Sequence, residues 1–189
     1  MKTLDVFVAL LRGVNVGGNN MIKMRALKVS FQKLGFTEVS TYINSGNIIF
    51  KSKETDARKL ERNIEQMLVK EYRLESKVVV RSLAEMETLV NSLPKTWNGD
   101  SSRRYNVIFL RHTIDSEEMI ADLLFTTDVE ETFYRPGVLF WTSSVLTDLN
   151  RTQFQKLSAR KFFQDMTIRN LNTTKKLHDL MKKTAQNEN

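Results

Sequence analysis

The segment LDVFVALLRGVNVGGNNMIKMRALKVSFQKLG, residues 4–35, decides the fold. Its opening, Leu4 to Leu11, is a continuous apolar run that predicts a central β-strand. A helix follows, because Met24, Leu27, Phe31 and Leu34 recur at helical spacing and Gly35 ends the pattern. The loop LRGVNVGGNN, residues 11–20, connects the two. The chain therefore begins with a strand, a glycine-rich loop and a helix.

The rest of the N-terminal half completes a βαββαβ order. A strand pattern at 36–43, a tight turn at 44–47 and a returning strand at 48–51 predict a hairpin. Residues 56–72 place apolar side chains on one helical face, and 77–81 carry three successive valines, which is typical of a buried strand. This order is that of the ferredoxin-like arrangement.

The C-terminal half repeats the same course. After a helix at 83–93, the polar stretch 94–102 is the best candidate for a boundary. The elements expected beyond it are a strand at 104–110, a helix at 116–124, strands at 129–134 and 138–142 around a turn at 135–137, a helix at 152–163, a strand at 166–168 and a helix at 173–184. We therefore predict an α+β protein with two ferredoxin-like halves, 1–93 and 103–189, related by internal duplication and joined by 94–102.

The composition excludes several kinds of chemistry. The 189 residues contain no Cys and only two His, so disulfides, thiolate nucleophiles and Cys- or His-rich metal sites have no residues to form them. We expect no metal and no cofactor. The N-terminal apolar run is too short to span a membrane and lacks a cleavage site for export, which predicts a cytoplasmic protein with no membrane partner. The oligomeric state is left open.

The net charge of +7 would favour polyanionic partners. The basic residues are spread along the chain, and clusters of this kind are usually solvated helix faces. The local clusters are Lys51 to Lys59, Arg103 to Arg104, Arg151 to Lys161 and Lys175 to Lys183. Nucleic acid therefore stays an alternative partner. Aromatic residues such as Phe7 and Phe50 would stack bases if they were exposed, but the aromatic pattern of RNA-recognition sheets is absent and core packing is the preferred interpretation.

The glycine-rich loop is the first of three polar motifs. It lacks the spacing of a dinucleotide-binding GxGxxG and the Gly-Lys-Ser/Thr of a P-loop. Backbone N–H groups at Gly17 and Gly18, with Arg12 and Asn15 as side-chain donors, would suit an anion at the start of the following helix. A sharp strand-to-helix turn explains the same residues equally well.

The second motif is the turn Asn44-Ser45-Gly46-Asn47, whose simplest interpretation is structural. We expect this turn to lie at the opposite end of the sheet from the glycine-rich loop. That geometry argues against a shared pocket unless Asn47 and the following residues point along the sheet face. The third motif, residues 167–173, offers Asn172 or Thr173 as the N-cap of the last helix. Arg169, just ahead of that helix, would add charge to a second anion site.

Nothing in the sequence assigns a catalytic step. His112 follows a strand and His178 lies within the last helix, and neither belongs to a polar motif. Adjacent pairs such as Glu117 and Glu118 would point in different directions, which makes them poor acid/base pairs. An enzyme of unknown reaction is therefore an alternative without a named mechanism.

The blocks LLRGVNVGG (10–18), TYINSGNIIF (41–50) and TIRNLNT (167–173) resemble the signature blocks of the domain-of-unknown-function 1697 family, small bacterial proteins of about this length. The resemblance implies no activity. Family members commonly carry lysines and a proline where this chain has Asn19, Met21 and Lys23, and a tryptophan at Leu171. We predict a small anionic or phosphate-bearing ligand at the loop after the first strand. The candidate ligand-binding residues are Arg12, Asn15, Gly17, Gly18, Asn19, Asn47, Arg169, Asn170 and Thr173.

Overall fold

A computed structural model describes residues 4–17, 20–97, 100–148, 151–157 and 161–186. The strands in these ranges are β1 Asp5–Leu11, β2 Thr37–Tyr42, β3 Asn47–Ser52, β4 Val78–Ser82, β5 Arg103–Leu110, β6 Glu130–Arg135, β7 Val138–Ser144 and β8 Met166–Asn170. The helices are α1 Met24–Lys33, α2 Ala57–Tyr72, α3 Leu83–Asn91, α4 Gln153–Leu157 and α5 Leu171–Gln186. The described ranges also contain the 3-10 segments Ala121–Leu123 and Lys161–Asp165.

These elements form two four-stranded antiparallel sheets, which confirms the predicted α+β class. The strand orders are β2-β3-β1-β4 and β6-β7-β5-β8, so each sheet places its strands in the sequence second, third, first, fourth. The described residues fall into two compact units, one within 1–88 and 175–189 and the other within 89–174. The predicted connection 94–102, of which residues 98–99 lie outside the described ranges, belongs to the second unit. The predicted domain bounds stay a prediction.

The N-terminal unit packs α1 and α2 against one face of its sheet. Helix α2 begins where the Asp56 side chain accepts hydrogen bonds from the N–H groups of Arg58 and Lys59. Phe7 and Phe50 are buried and stacked at a centroid distance of 5.8 Å. This confirms that these aromatic residues belong to the core, so they offer no surface on which a base could stack.

The C-terminal unit departs from the prediction in its helices. The predicted α-helix at 116–124 is wrong: the segment is a series of turns that ends in the 3-10 segment Ala121–Leu123. The segment has no continuous apolar stripe, because the exposed Glu117 and Glu118 lie between its buried apolar residues. Those buried residues are Ile114, Ile120 and Leu123.

The predicted helix at 152–163 is also replaced by shorter pieces. Helix α4 ends at Leu157 and a 3-10 segment begins at Lys161, while residues 158–160 lie outside the described ranges. The last strand runs two residues further than predicted, to Asn170, and α5 therefore begins at Leu171 instead of 173. In the described ranges, every helix is too short or too polar to cross a membrane.

Candidate functional site

The glycine-rich loop and the β2–β3 turn lie at the same end of the N-terminal sheet. Strand β1 is antiparallel to β3 with Leu10 opposite Asn47, so the turn before β3 meets the end of β1. The Leu11 N–H donates to the Gly46 carbonyl at 2.8 Å. The expectation that they lie at opposite ends was wrong, because it overlooked that an antiparallel neighbour begins where β1 ends.

The side chain of Asn15 joins these two segments. Its amide donates to the carbonyls of Ile22, at 2.9 Å, and Asn44, at 2.7 Å. Its oxygen accepts the Ile22 N–H at 2.7 Å, and its backbone is left-handed with φ 55°. The Asn20 amide adds a bond to the Gly13 carbonyl at 3.0 Å. The polar side chains of the loop therefore hold its own backbone in place.

The other predicted residues of this end differ in accessibility. Gly17 is exposed with φ 58° and open space around it. Asn47 is buried, and its amide donates to the Tyr42 carbonyl and to Ser45 Oγ, both at 3.2 Å. Arg12 is half-buried and its backbone N–H donates to the Lys77 carbonyl. Gly18 and Asn19 lie outside the described residues.

The predicted residues of the third motif lie where β8 leads into α5. Asn170 is the N-cap of α5, since its side-chain oxygen accepts the Thr173 N–H at 2.7 Å. The predicted caps, Asn172 and Thr173, instead lie inside the first turn because β8 continues to Asn170. The guanidinium of Arg169 donates to Thr167 Oγ1 at 2.9 Å and to the Ile168 carbonyl at 2.7 Å.

Arg169 is a charge held in an unfavourable environment. Burial lowers its pKa to about 10, because removing the guanidinium from water disfavours its charged form. The two hydrogen bonds to its own strand offset part of that cost. These bonds fold the Arg169 side chain back along its own strand.

The C-terminal unit also contains a cavity that the sequence did not predict. We call it the β5–α5 cavity; its volume is about 440 Å³, and it is lined by Asp100, Ser101, Arg103, Arg104, Tyr105, Asn106, Asn170, Leu171 and Asn172. Its position follows from the register. Strand β8 ends at Asn170, opposite Asn106, whereas β5 continues to Arg103 with β7 as its neighbour. The chain turns into α5 at this point and leaves an open notch beside β5.

Arg104 is a fixed cation in the wall of this cavity. Its guanidinium donates to the carbonyls of Ser144 at 2.7 Å, Val145 at 2.8 Å and Thr147 at 3.0 Å. A guanidinium has five N–H groups in a rigid plane, so two of them have no acceptor among the residues that the structure describes. Residues 144–147 thus hold the charge of Arg104 in a fixed position.

Several other polar groups around the cavity have spare hydrogen-bonding capacity. Arg103 uses its Nε to donate to Thr142 Oγ1 at 3.1 Å, and within the described ranges its terminal nitrogens have no acceptor. The side chains of Asn106 and Asn172 likewise make no hydrogen bond to any residue that the structure describes. Asn106 and Asn170 are cross-strand partners, so both project from one face of the sheet.

Asp100 supplies the one carboxylate of the lining. It accepts the Ser102 N–H at 2.8 Å and the Ser102 hydroxyl at 2.7 Å. The backbone hydrogen bond from Ser102, then the bond from its hydroxyl and, least, the charge of Arg103 lower the pKa of the Asp100 carboxyl below its ordinary value. Nowhere in the described ranges are three His, Cys, Asp or Glu residues grouped so that they could hold a metal ion.

The sequence offered one signal for this cavity. Arg103 and Arg104 form one of the basic clusters in the sequence, a pattern that by itself predicts a solvated face. The structural indication is that β8 ends at Asn170, opposite Asn106, and so leaves Arg103 and Arg104 without a β8 neighbour. That indication depends on the β5–β8 register, which the sequence pattern does not specify.

Comparison with known proteins identifies a similar solved structure and a family, and it assigns no activity. The chain is similar to a solved structure, the conserved bacterial protein SP0830 from Streptococcus pneumoniae, with 27% identity and a TM-score of 0.83 over 95% of this chain and 99% of that one. No functionally curated protein matches the chain. The model of the family described as "Protein of unknown function (DUF1697)" matches residues 4–141. The chain therefore belongs to the DUF1697 family.

Proposed function

We propose that this protein binds a small anionic ligand, such as a phosphate ester, in the β5–α5 cavity. The observation that carries the proposal is the arginine pair in its lining. Arg104 is held rigidly by three carbonyls, and Arg103 keeps its terminal nitrogens without an acceptor in the described structure. Arginine in a fixed position is the side chain best suited to a planar or tetrahedral oxyanion.

Two further features support an anion at this place. Helix α5 begins at the cavity, its first turn contains no acidic residue, and the positive end of a helix dipole favours negative charge. The amides of Asn106 and Asn172 provide neutral donors that can satisfy the remaining oxygens of an anion without adding a counter-charge. The lining offers no nucleophile paired with a base, so the proposal is binding without an assigned reaction.

A second candidate location is the glycine-rich loop, at which the sequence predicted the ligand. One observation favours it: α1 begins at Met24 without a side-chain cap and without an acidic residue in its first turn. Arg12 and the exposed Gly17 lie in the loop that leads to this helix. We keep this loop as a proposed site of lower rank, because its Asn15 side chain is committed to structural bonds.

We also propose that each unit is ferredoxin-like and that the two arose by duplication. The support is the shared order of strands in the two sheets and the βαββαβ order of the first unit. The second unit replaces the first helix of that pattern by turns and a 3-10 segment.

The proposed function is tested by calorimetric titration of the purified protein with inorganic phosphate. We expect a dissociation constant of about 1 mM or tighter, equivalent to about 4 kcal/mol of binding free energy. Asn106→Asp keeps the size of the side chain but puts a negative charge in the cavity, and we expect it to weaken binding at least about tenfold. Asn63→Asp, an exposed position on α2, is the matched control and should bind as the wild type does.

Two results would overturn the proposal. One is the absence of any phosphate binding by the wild type, and the other is equal affinity of the wild type and Asn106→Asp. The nucleic-acid alternative is separated by a titration with a single-stranded oligonucleotide. An affinity that falls steeply with salt, and that Asn106→Asp leaves unchanged, would favour a general electrostatic surface over the cavity.

A further inference from the structure

Arg103 and Arg104 lie on opposite faces of the C-terminal sheet, because successive side chains of a strand alternate. Strand β7 pairs Thr142 with Tyr105, and the Arg103 side chain donates to Thr142 on that face. Arg104 lies on the other face, which it shares with Asn106. A single oxyanion therefore contacts only one of the two arginines, and the neighbouring amide of Asn106 makes Arg104 the better anchor.

The guanidinium of Arg104 has one edge that is open to a ligand. Its Nη1 donates to the carbonyls of Ser144 and Thr147, and its Nη2 donates to the carbonyl of Val145. The two N–H groups that have no acceptor among the described residues are therefore on Nε and Nη2. These nitrogens are neighbours on one edge of the guanidinium, and such an edge binds two oxygens of one anion through parallel hydrogen bonds.

The charge of the lining matches an anion with a single charge. The charged side chains that line the cavity are those of Arg103, Arg104 and Asp100, so the net charge of the lining is +1. A phosphate monoester carries roughly 1.5 to 2 negative charges at pH 7. Its second charge would lie near the Asp100 carboxylate without a cation of its own, whereas a carboxylate carries only one charge. The volume of about 440 Å³ also leaves room for the rest of a small organic acid.

We infer that the ligand of the β5–α5 cavity is a small organic acid with one carboxylate, both oxygens of which are held by Nε and Nη2 of Arg104. This inference rests on the proposed function of the same cavity and narrows the anion to the carboxylate class. The side chain of Asn106 projects from the same face and can donate to a carboxylate oxygen. Arg103 adds its positive charge from the other face without touching the carboxylate.

The test compares benzoate with phenyl phosphate by calorimetric titration at pH 8, because both carry the same ring and differ in the anionic group. For the wild type we expect benzoate to bind about tenfold more tightly, since the second charge of phenyl phosphate is repelled by Asp100. Benzamide has the shape of benzoate but no charge. It should bind at least about tenfold more weakly than benzoate, because it cannot form the charge-assisted pair with Arg104.

Arg104→Lys keeps the positive charge but removes the edge with two parallel N–H groups. We expect this variant to bind benzoate at least about tenfold more weakly than the wild type. The matched control is Arg135→Lys, at an exposed position of β6 in the same unit, which should bind benzoate as the wild type does. Far-ultraviolet circular dichroism checks that both variants are folded. If Arg104→Lys is not folded, the comparison of the three ligands on the wild type decides alone.

The outcomes separate the inference from the proposed function. If inorganic phosphate binds but benzoate is no tighter than phenyl phosphate, the inference is wrong and the proposed function stands. Equal affinity for benzoate and benzamide, or an unchanged benzoate affinity in a folded Arg104→Lys variant, would also overturn the inference. If inorganic phosphate, phenyl phosphate and benzoate all fail to bind, the proposed function fails and the inference fails with it.

Discussion

Gly46 provides a sharp test of how the end of the N-terminal sheet is built. A Cβ atom at this position would lie 2.9 Å from the Cβ of Leu11 and 3.3 Å from that of Val14. The residue also has φ 70°, which costs a side chain about 1–2 kcal/mol. Overpacking of this kind adds about 1–3 kcal/mol, so we expect Gly46→Ala to lower the free energy of unfolding by roughly 2–5 kcal/mol.

Gly17→Ala is the control that isolates the steric part. Gly17 has a similar φ of 58°, but a Cβ there would meet no atom within 4 Å. We expect it to cost only the backbone term, about 1–2 kcal/mol. Both variants are measured by urea unfolding followed by far-ultraviolet circular dichroism, with an unchanged slope required. Equal losses in the two variants would refute the close approach of the β2–β3 turn to β1.

Three further predictions concern other contacts. Asn15→Asp removes the hydrogen bonds that the Asn15 amide donates to the carbonyls of Ile22 and Asn44. We expect urea unfolding to show a loss of about 2–3 kcal/mol in the free energy of unfolding; a loss below about 0.5 kcal/mol would contradict the bridging role. Desolvation and the hydrogen bond to Asp115 raise the pKa of Tyr134 to about 12, so the folded state holds this proton more tightly than the unfolded chain does. The contribution of Tyr134 to the free energy of unfolding should therefore fall between about pH 10 and 12. The difference in phenolate absorbance between the wild type and Tyr134→Phe should titrate near pH 12. A midpoint near pH 10 would refute the raised pKa of Tyr134. Asn170→Ala should lower the free energy of unfolding by about 1 kcal/mol, because it removes the N-cap of α5. Asn170→Asp should keep the stability, since Asp is also a good N-cap, but weaken phosphate binding through its negative charge. A less stable Asp variant in urea unfolding, or phosphate binding by that variant as tight as the wild type in calorimetry, would contradict this prediction.

The N-terminal sheet could be predicted from the sequence because each element carried its own signal. The continuous apolar run of β1, the spacing of Leu27 and Phe31 in α1 and the turn residues before Asn47 agree with one another. The elements of the C-terminal unit carry weaker signals. The segment 116–124 has the charge and turn residues of a helix start, but it lacks the apolar stripe that would hold a helix against the sheet.

The candidate site was harder to predict, since it depends on which strand ends first. The sequence predicts Asn15 as a ligand donor, whereas in the structure its amide bonds to the Asn44 carbonyl, 29 residues away, a pairing that no local pattern reveals. Arg103 and Arg104 line a cavity only because β8 ends and α5 begins beside them. The sequence shows only that these residues are basic. That they border an open notch follows from the strand register.

The most direct test of the central claim is a phosphate titration followed by nuclear magnetic resonance of the side-chain N–H groups. The resonances of the Arg103 and Arg104 guanidinium groups and of the Asn106 and Asn172 amides should move together, with one dissociation constant that agrees with calorimetry. The amide of Asn63, on the exposed face of α2, should stay in place. If phosphate leaves the cavity signals unmoved, or shifts the exposed amide to the same extent, the β5–α5 cavity is not the anion site.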